Sequence, residues 1–346
     1  MTHSLQSICF SGVPMSLRPV LAALVFGAIA TPVLAADLGA RKGVPAAPAV
    51  SSSCKETEKT ALSADVFGFT SGSDVSDVGA YALQFEYNGA FNGAGFKTGN
   101  FGGHLGKIQL STAFLPCWEI GPYLLGTTSN GSISGIAGDV GYSSIGFGVE
   151  NKYKILGRAT HGFGLTAVFD ANYQGFEQKV TQVTPSVSWS GSQGNVTYKL
   201  ILDKELIASK LFGAINIQVD QIWTGRPASQ TANFSSDYVR NSNLTLSAAL
   251  TYQVIDGLYL GAETRYVRTH NGSFLNTFTG DALYVGPTLY WQATKAVSLS
   301  GTWGIQVMGD AKFPSGTVLP LNIRNSDLNL ITQNQHIAKV KLAVAF

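Results

Sequence analysis

The sequence predicts an all-β fold: a closed, antiparallel, up-and-down transmembrane β-barrel of about twelve strands, with fourteen as the alternative count. Three observations carry this. Apolar and polar residues alternate with a period of two from Val78 to the C-terminus. Charged residues keep to the polar side of that alternation. The connections between the alternating runs switch regularly between long and short, which a soluble sandwich gives no reason for.

Composition excludes several other classes. Only 13% of the 346 residues are charged, against roughly 25% in average soluble domains, while 45% are hydrophobic and 39 are glycine. A formal net charge of +2 without a Lys/Arg cluster gives no basis for nucleic-acid binding. After the N-terminal segment no apolar run reaches the length of about 18 residues that a membrane helix needs.

The N-terminus reads as an export signal. Arg18 precedes an apolar run at 20–30, and Val33 and Ala35 fit the small-residue cleavage pattern. Residues 1–35 are therefore assigned to a signal peptide with Met15 as the true start, cut before Ala36. Cys54 and Cys117 remain in the exported chain. Residues 36–77, rich in Ala, Pro and Ser, are expected to form a periplasmic tether or a small plug, the stretch 64–70 being either a short strand or a plug. The barrel takes 78–346.

Each strand then follows from its own alternation. Tyr81, Leu83, Phe85 and Tyr87 oppose Ala82, Gln84 and Glu86. Ile108, Leu110 and Phe114 oppose Lys107, Gln109 and Ser111. Residues 163–173, 196–203 and 211–221 supply strands in the middle. Leu244, Leu246, Ala248 and Leu250 oppose Thr245, Ser247 and Thr251, and Leu258, Leu260 and Ala262 oppose Tyr259, Glu263 and Arg265. Val285, Leu289 and Trp291 oppose Tyr284, Tyr290 and Gln292. Val297, Leu299, Trp303 and Ile305 oppose Ser298, Ser300, Thr302 and Gln306, and Ala338, Val340, Leu342, Val344 and Phe346 oppose Lys339 and Lys341. Each run has about the length of a tilted membrane strand. An even count places 181–189, with Pro185, in a long external loop that is locally paired. Pro122 and Pro287 each remove a ladder donor, so bulges are expected there.

Alternation alone suits a sandwich as well as a barrel. The distribution of charge separates them. The polar faces carry Glu86, Lys107, Glu119, Glu150, Lys152, Lys154, Asp170, Lys199, Asp203, Asp220, Glu263, Arg265, Lys339 and Lys341, and the apolar faces carry none. A lipid-facing Lys or Arg at the midplane costs about 2–4 kcal/mol, so this exclusion is what lipid would enforce. With strand directions assigned, Phe114, Trp118, Tyr153, Phe163, Tyr252, Trp291 and Phe346 collect near the periplasmic ends as an aromatic belt.

The C-terminal run, apolar at alternate positions and ending on Phe346, resembles the closing-strand signature of bacterial outer-membrane barrels. The exported N-terminus, Ala36-Asp37-Leu38 followed by Arg41, Lys42, prolines and a cysteine, resembles that of alphaproteobacterial porins. The resemblance implies a Gram-negative outer membrane, lipid as the surrounding partner, and recognition of the Phe346 strand by the barrel-assembly machinery.

The candidate chemistry is sparse. Cys54 and Cys117, both assigned to the periplasmic side, are expected to form a disulfide tying the tether to the barrel mouth. The lumen charges divide about evenly in sign, which suits either a weakly selective aqueous path or a lumen filled by ion pairs. His104 and the run His270-Asn271-Gly272-Ser273 offer the only material for a lipid-modifying enzyme, and nothing else marks them. No metal or cofactor pattern is present. The expected function is passive passage of small polar solutes without enzymatic activity. The alternatives are a non-conducting barrel acting through its external loops and, third, a lipid-modifying enzyme.

Overall fold

The computed structural model describes residues 64–93, 101–132, 139–180, 187–226, 237–312, 327–330 and 332–346. The signal peptide, Cys54 and the tether up to residue 63 lie outside the described residues. Of the two units into which the chain divides, Met1–Ala49 and Val50–Phe346, only the second contains described residues.

Twelve strands close into one barrel: β1 (Tyr81–Gly93), β2 (Phe101–Leu115), β3 (Trp118–Ser132), β4 (Asp139–Leu156), β5 (Gly164–Val180), β6 (Val187–Ile207), β7 (Leu211–Arg226), β8 (Asp237–Ile255), β9 (Leu258–Asn271), β10 (Thr277–Gln292), β11 (Val297–Ala311) and β12 (His336–Ala345). Every strand pairs antiparallel with its sequence neighbours, and β12 returns to β1. The seam runs from Ala82 opposite Ala345 to Phe91 opposite His336. Phe346 finishes it: its N–H donates to the Tyr81 carbonyl at 2.9 Å and its ring stacks on Tyr81. Closure leaves no strand edge unpaired in lipid, which is the condition for a sheet to span a membrane.

The wall is turned inside out relative to a soluble protein. Ile108, Leu124, Ile145, Phe147, Ile215, Ile217, Leu250 and Val340 are exposed on its outside. Gln109, Ser111, Thr166, Asn216, Thr251, Ser300 and Gln306 are buried inside. The expected absence of charge from the outward face needs correction: towards the long-loop ends Glu177, Lys179, Arg268 and Asp281 share the outward side with Tyr173, Tyr266 and Leu283. Lys204 is exposed between outward Leu202 and Leu206, near the short β6–β7 turn, where a long stem lets the ammonium reach water. The lumen also contains apolar residues, including Ile201, Phe212 and Val267. A filled interior rewards packing as any core does.

Several boundaries differ from the sequence reading. β5 and β6 pair from Gly164 opposite Asp203 up to Val180 opposite Val187. Residues 187–189, assigned to a loop, are thus the start of a long hairpin strand. The β4–β5 turn holds a short helix, α1 (Arg158–His161), which periodicity could not reveal in so few residues. Pro122 and Pro287 produce no bulge. The β2–β3 ladder lapses between the pairs Gln109–Tyr123 and Thr112–Ile120, and the β10–β11 ladder between Val285–Ile305 and Thr288–Thr302, with register kept in both. A missing N–H is accommodated by omitting bonds on one side while the other neighbour still pairs.

The outward wall yields a first prediction. Ile217 and Leu246 are cross-strand partners on the outside. Ile217→Arg is expected to destabilise the barrel in lipid vesicles by about 2–4 kcal/mol in denaturant titrations. The lumen change Gln218→Arg, beside Asp220, should cost much less. Equal costs would show that this wall does not face lipid.

Candidate functional site

The interior is occupied by the chain's own residues 64–77, which precede β1. Their composition suits a loop inside a polar tube: glycines at 68 and 72, serines or threonine at 70, 71, 73 and 76, and one apolar pair, Val66-Phe67. Gly72 N–H donates to the Ala64 carbonyl at 2.8 Å and closes the turn. Gly68 takes φ +84°, in the left-handed region.

Acids of the wall receive the backbone of this loop. Glu263 accepts from Phe69 N–H (3.2 Å), Thr70 N–H (3.0 Å) and Thr70 Oγ1 (3.2 Å), and from Thr302 on the wall (2.6 Å). Asp203 accepts from Ser73 N–H (2.6 Å) and Ser73 Oγ (2.8 Å), and Glu119 from Ser76 N–H and Oγ, both at 2.7 Å. Asn216, with its amide oriented by the network, brackets the backbone of Ser71. Each contact satisfies a donor that would otherwise be stranded away from water.

Cations of the wall hold the acids and carbonyls of the loop. Lys341 meets Asp65 at 2.8 Å, and Lys154 meets Asp74 at 2.7 Å. Arg158 reaches in from α1 to bridge Asp74 on the loop and Asp203 on the wall (2.7 Å to Asp203). Lys339 donates to the Gly68 carbonyl, and the Arg265 guanidinium lies 5.0 Å from the Phe69 ring centroid. Burial alone would raise the Asp65 carboxyl, but the ammonium groups of Lys341 and Lys339 hold it below the usual range. Burial pushes the Asp74 carboxyl up against the pull of Arg158 and Lys154. For Arg158, Asp74 and Asp203 more than reverse the effect of burial and raise it. The apolar pair adds packing: Val66 and Phe67, both 0% exposed, meet Phe212, Ala214, Ala249 and Tyr290.

Space remains on the side of the short turns. A cavity of about 760 Å³ is bounded there by Asp65, Asp74, Cys117, Lys152, Lys154 and Lys341. Towards the other end Asn329 and Asn334, between β11 and β12, come inward. Asn329, 1% exposed, accepts from Gln306 Nε2 through its carbonyl, and Tyr284 Oη donates to the Asn334 carbonyl at 2.7 Å.

Most of the charged residues assigned to the lumen meet there. Glu119 and Glu150 bracket Lys152 (2.9 and 3.3 Å), and Glu86 approaches Lys339 (3.6 Å). Asp170 accepts from Tyr123 Oη, Lys107 lies over the Tyr123 ring, Asp220 accepts from Thr197, and Lys199 approaches Ser71 Oγ at 3.5 Å. The outer-wall aromatics lie near the short-turn ends, where Phe114, Tyr153, Phe163, Tyr252, Trp291 and Phe346 are exposed and Trp118 pairs with Tyr153. A second aromatic cluster was not foreseen. Phe91 stacks on Trp303 and Tyr87 on His104, whose Nδ1 is 2.6 Å from Tyr87 Oη. His270 stacks edge-on against Phe278, on the far side of the barrel order from His104. Cys117 takes φ +67° in the β2–β3 turn and is disulfide-bonded; Cys54, assigned as its partner, lies outside the described residues. Sequence reasoning missed Arg158, Asp65, Ser73 and Asp74. Three acids, Asp65, Asp74 and Asp77, among glycines and small hydroxyl residues were the available signal.

The fold and its greasy exterior define a membrane-spanning β-barrel of the outer-membrane type, with the chain's own residues 64–77 held inside it. The chain belongs to the family described as "Family of unknown function (DUF6662)", whose model matches residues 61–346 and so includes that inner loop. Among curated proteins none matches. Among solved structures the chain is similar to the translocator domain of autotransporter NalP from Neisseria meningitidis. The identity is 12% and the TM-score 0.53, over 79% of this chain and 91% of that one. It is also similar to the beta domain of the Bordetella autotransporter BrkA, at 11% identity and a TM-score of 0.54, over 77% and 98%. These likenesses concern the fold.

Proposed function

We propose that this protein is a passive outer-membrane channel for small polar solutes, held shut by residues 64–77. The observation that carries this reading is how the loop is bound. Its contacts to the wall are chiefly polar and water can replace each of them, so the loop can leave without exposing a large apolar surface. Apolar burial opposing departure is chiefly that of Val66 and Phe67, at about 1.5–3 kcal/mol each, with half-buried Phe69 adding less. The cavity below the loop supplies an antechamber on one side.

Planar-bilayer recording tests it. The full chain should show rare openings, and substitutions that loosen the loop should raise the open fraction. No current from any loosened variant at any voltage would remove the channel reading. That result would favour a non-conducting barrel acting through its external loops, a reading supported by the inward contacts of Asn329 and Asn334.

The same reading gives the periplasmic segment a task. A Cys54–Cys117 disulfide would anchor the base of the loop to the β2–β3 turn, keeping it near the mouth when it leaves, while residues 1–35 would be removed on export. The expected result is no free thiol in unreduced mature protein. Two reactive thiols would end the tether.

A further inference from the structure

Resting on the gate reading above, we infer that the solute is a small carboxylate-bearing anion, and that Asp65 and Asp74 of the loop occupy the places its carboxylates take. The argument is one of what the loop leaves behind. Six cations of the wall face it: Lys154, Arg158, Lys199, Arg265, Lys339 and Lys341. The acids of the wall meet its N–H and hydroxyl groups instead, so they lose no charged partner when it departs. Glu119 and Glu150 keep Lys152, Asp203 keeps Arg158, and Glu86 keeps Lys339.

The cations fare differently. Lys341 gives up Asp65 and Lys154 gives up Asp74, while Arg158 gives up Asp74 and keeps Asp203. Lys199 and Arg265 make no ion pair among the described residues; their contacts to the loop are a hydroxyl and a ring face. Glu263 is the counterweight, since it keeps Thr302 and lies two positions from Arg265 on the same face of β9. Asp170 and Asp220 of the wall likewise make no ion pair among the described residues, so the shift comes from the loss of the loop's own acids, Asp65 and Asp74, which moves an evenly charged lumen towards anions. The Asp74 position is already a built carboxylate site. Its cations, Lys154 and Arg158, have side chains only 1% and 3% exposed, and Arg158 presents a guanidinium suited to a carboxylate.

Reversal potentials across a KCl gradient, measured on the full chain opened by Gly68→Val, test this. Chloride is expected to permeate more readily than potassium, and added succinate should reduce the chloride current. In that background Lys199→Gln with Lys341→Gln should bring the reversal potential towards zero. Asp74→Asn serves as a second opener in case the valine variant does not fold. A current that is unselective or cation-selective, or indifferent to succinate, overturns the anion assignment and leaves the gate standing. No current from either opener removes both.

Discussion

Gly68→Val is expected to convert a mostly closed barrel into a mostly open one. Two costs fall on the closed state alone. Gly68 has φ +84°, and a non-glycine residue in the left-handed region loses about 1–2 kcal/mol, β-branched residues faring worst. A Cβ there would also lie 2.9 Å from Glu263 Oε1, Thr288 Cγ2 and Thr302 Cβ, closer than real contacts come. Overpacking of this kind costs about 1–3 kcal/mol. Together they come to about 2–5 kcal/mol, or roughly thirtyfold to several-thousandfold in the closed-to-open ratio. The released loop is solvated and bears neither cost, so the folded barrel should keep its gel mobility when unheated. Gly72→Ala is the milder comparison, with φ outside the left-handed region and its nearest atom, Ala64 Cα, at 3.2 Å. A valine variant whose open fraction equals that of the parent would show that the loop is not seated by this glycine.

The barrel was legible in the sequence because lipid imposes a rule on every second residue of every strand. Lys339 and Lys341 between Ala338, Val340 and Leu342 is a pattern that one closing strand displays by itself. The occluding loop obeys no such rule. Its contacts run from Thr70 to Glu263 and from Ser73 to Asp203, and no local period reports a hydrogen bond across so much chain. Arg158 was hidden for a related reason. It sits in a turn, where a basic residue ordinarily faces water, and only the fold shows it turned inward onto two acids. The even balance of lumen charge was legible. Its division, with carboxylates of the wall meeting N–H groups of the loop and cations of the wall meeting its acids, was not, because composition does not say which charge belongs to a part that moves.

Arg158→Ala should loosen the gate from the opposite side, by removing a side chain that pairs with an acid of the loop and an acid of the wall at once. Asp203, 2% exposed, would retain Ser73 N–H and Oγ but lose its cation, and Asp74 would retain Lys154. Stranding a buried carboxylate in this way costs about 3–5 kcal/mol, more than the pair contributes net, because desolvation of the remaining charge is then uncompensated. Part of that cost falls on the open barrel as well, since Asp203 belongs to the wall. Labelling of Ser71→Cys by a membrane-impermeant thiol reagent separates the two effects, reporting loop departure in barrels that still migrate as folded. It should rise sharply in Arg158→Ala and only partly recover in Arg158→Lys, since an ammonium lacks the planar fork by which the guanidinium gives one nitrogen to Asp74 and the other to Asp203. Asp203→Asn added to Arg158→Ala should be less damaging than Arg158→Ala alone, because the stranded charge is gone. If the double variant is as unstable as the sum of its parts and Ser71→Cys labels no faster than in the parent, Arg158 supports the turn alone and the loop is held by Glu263 and Lys341 without it.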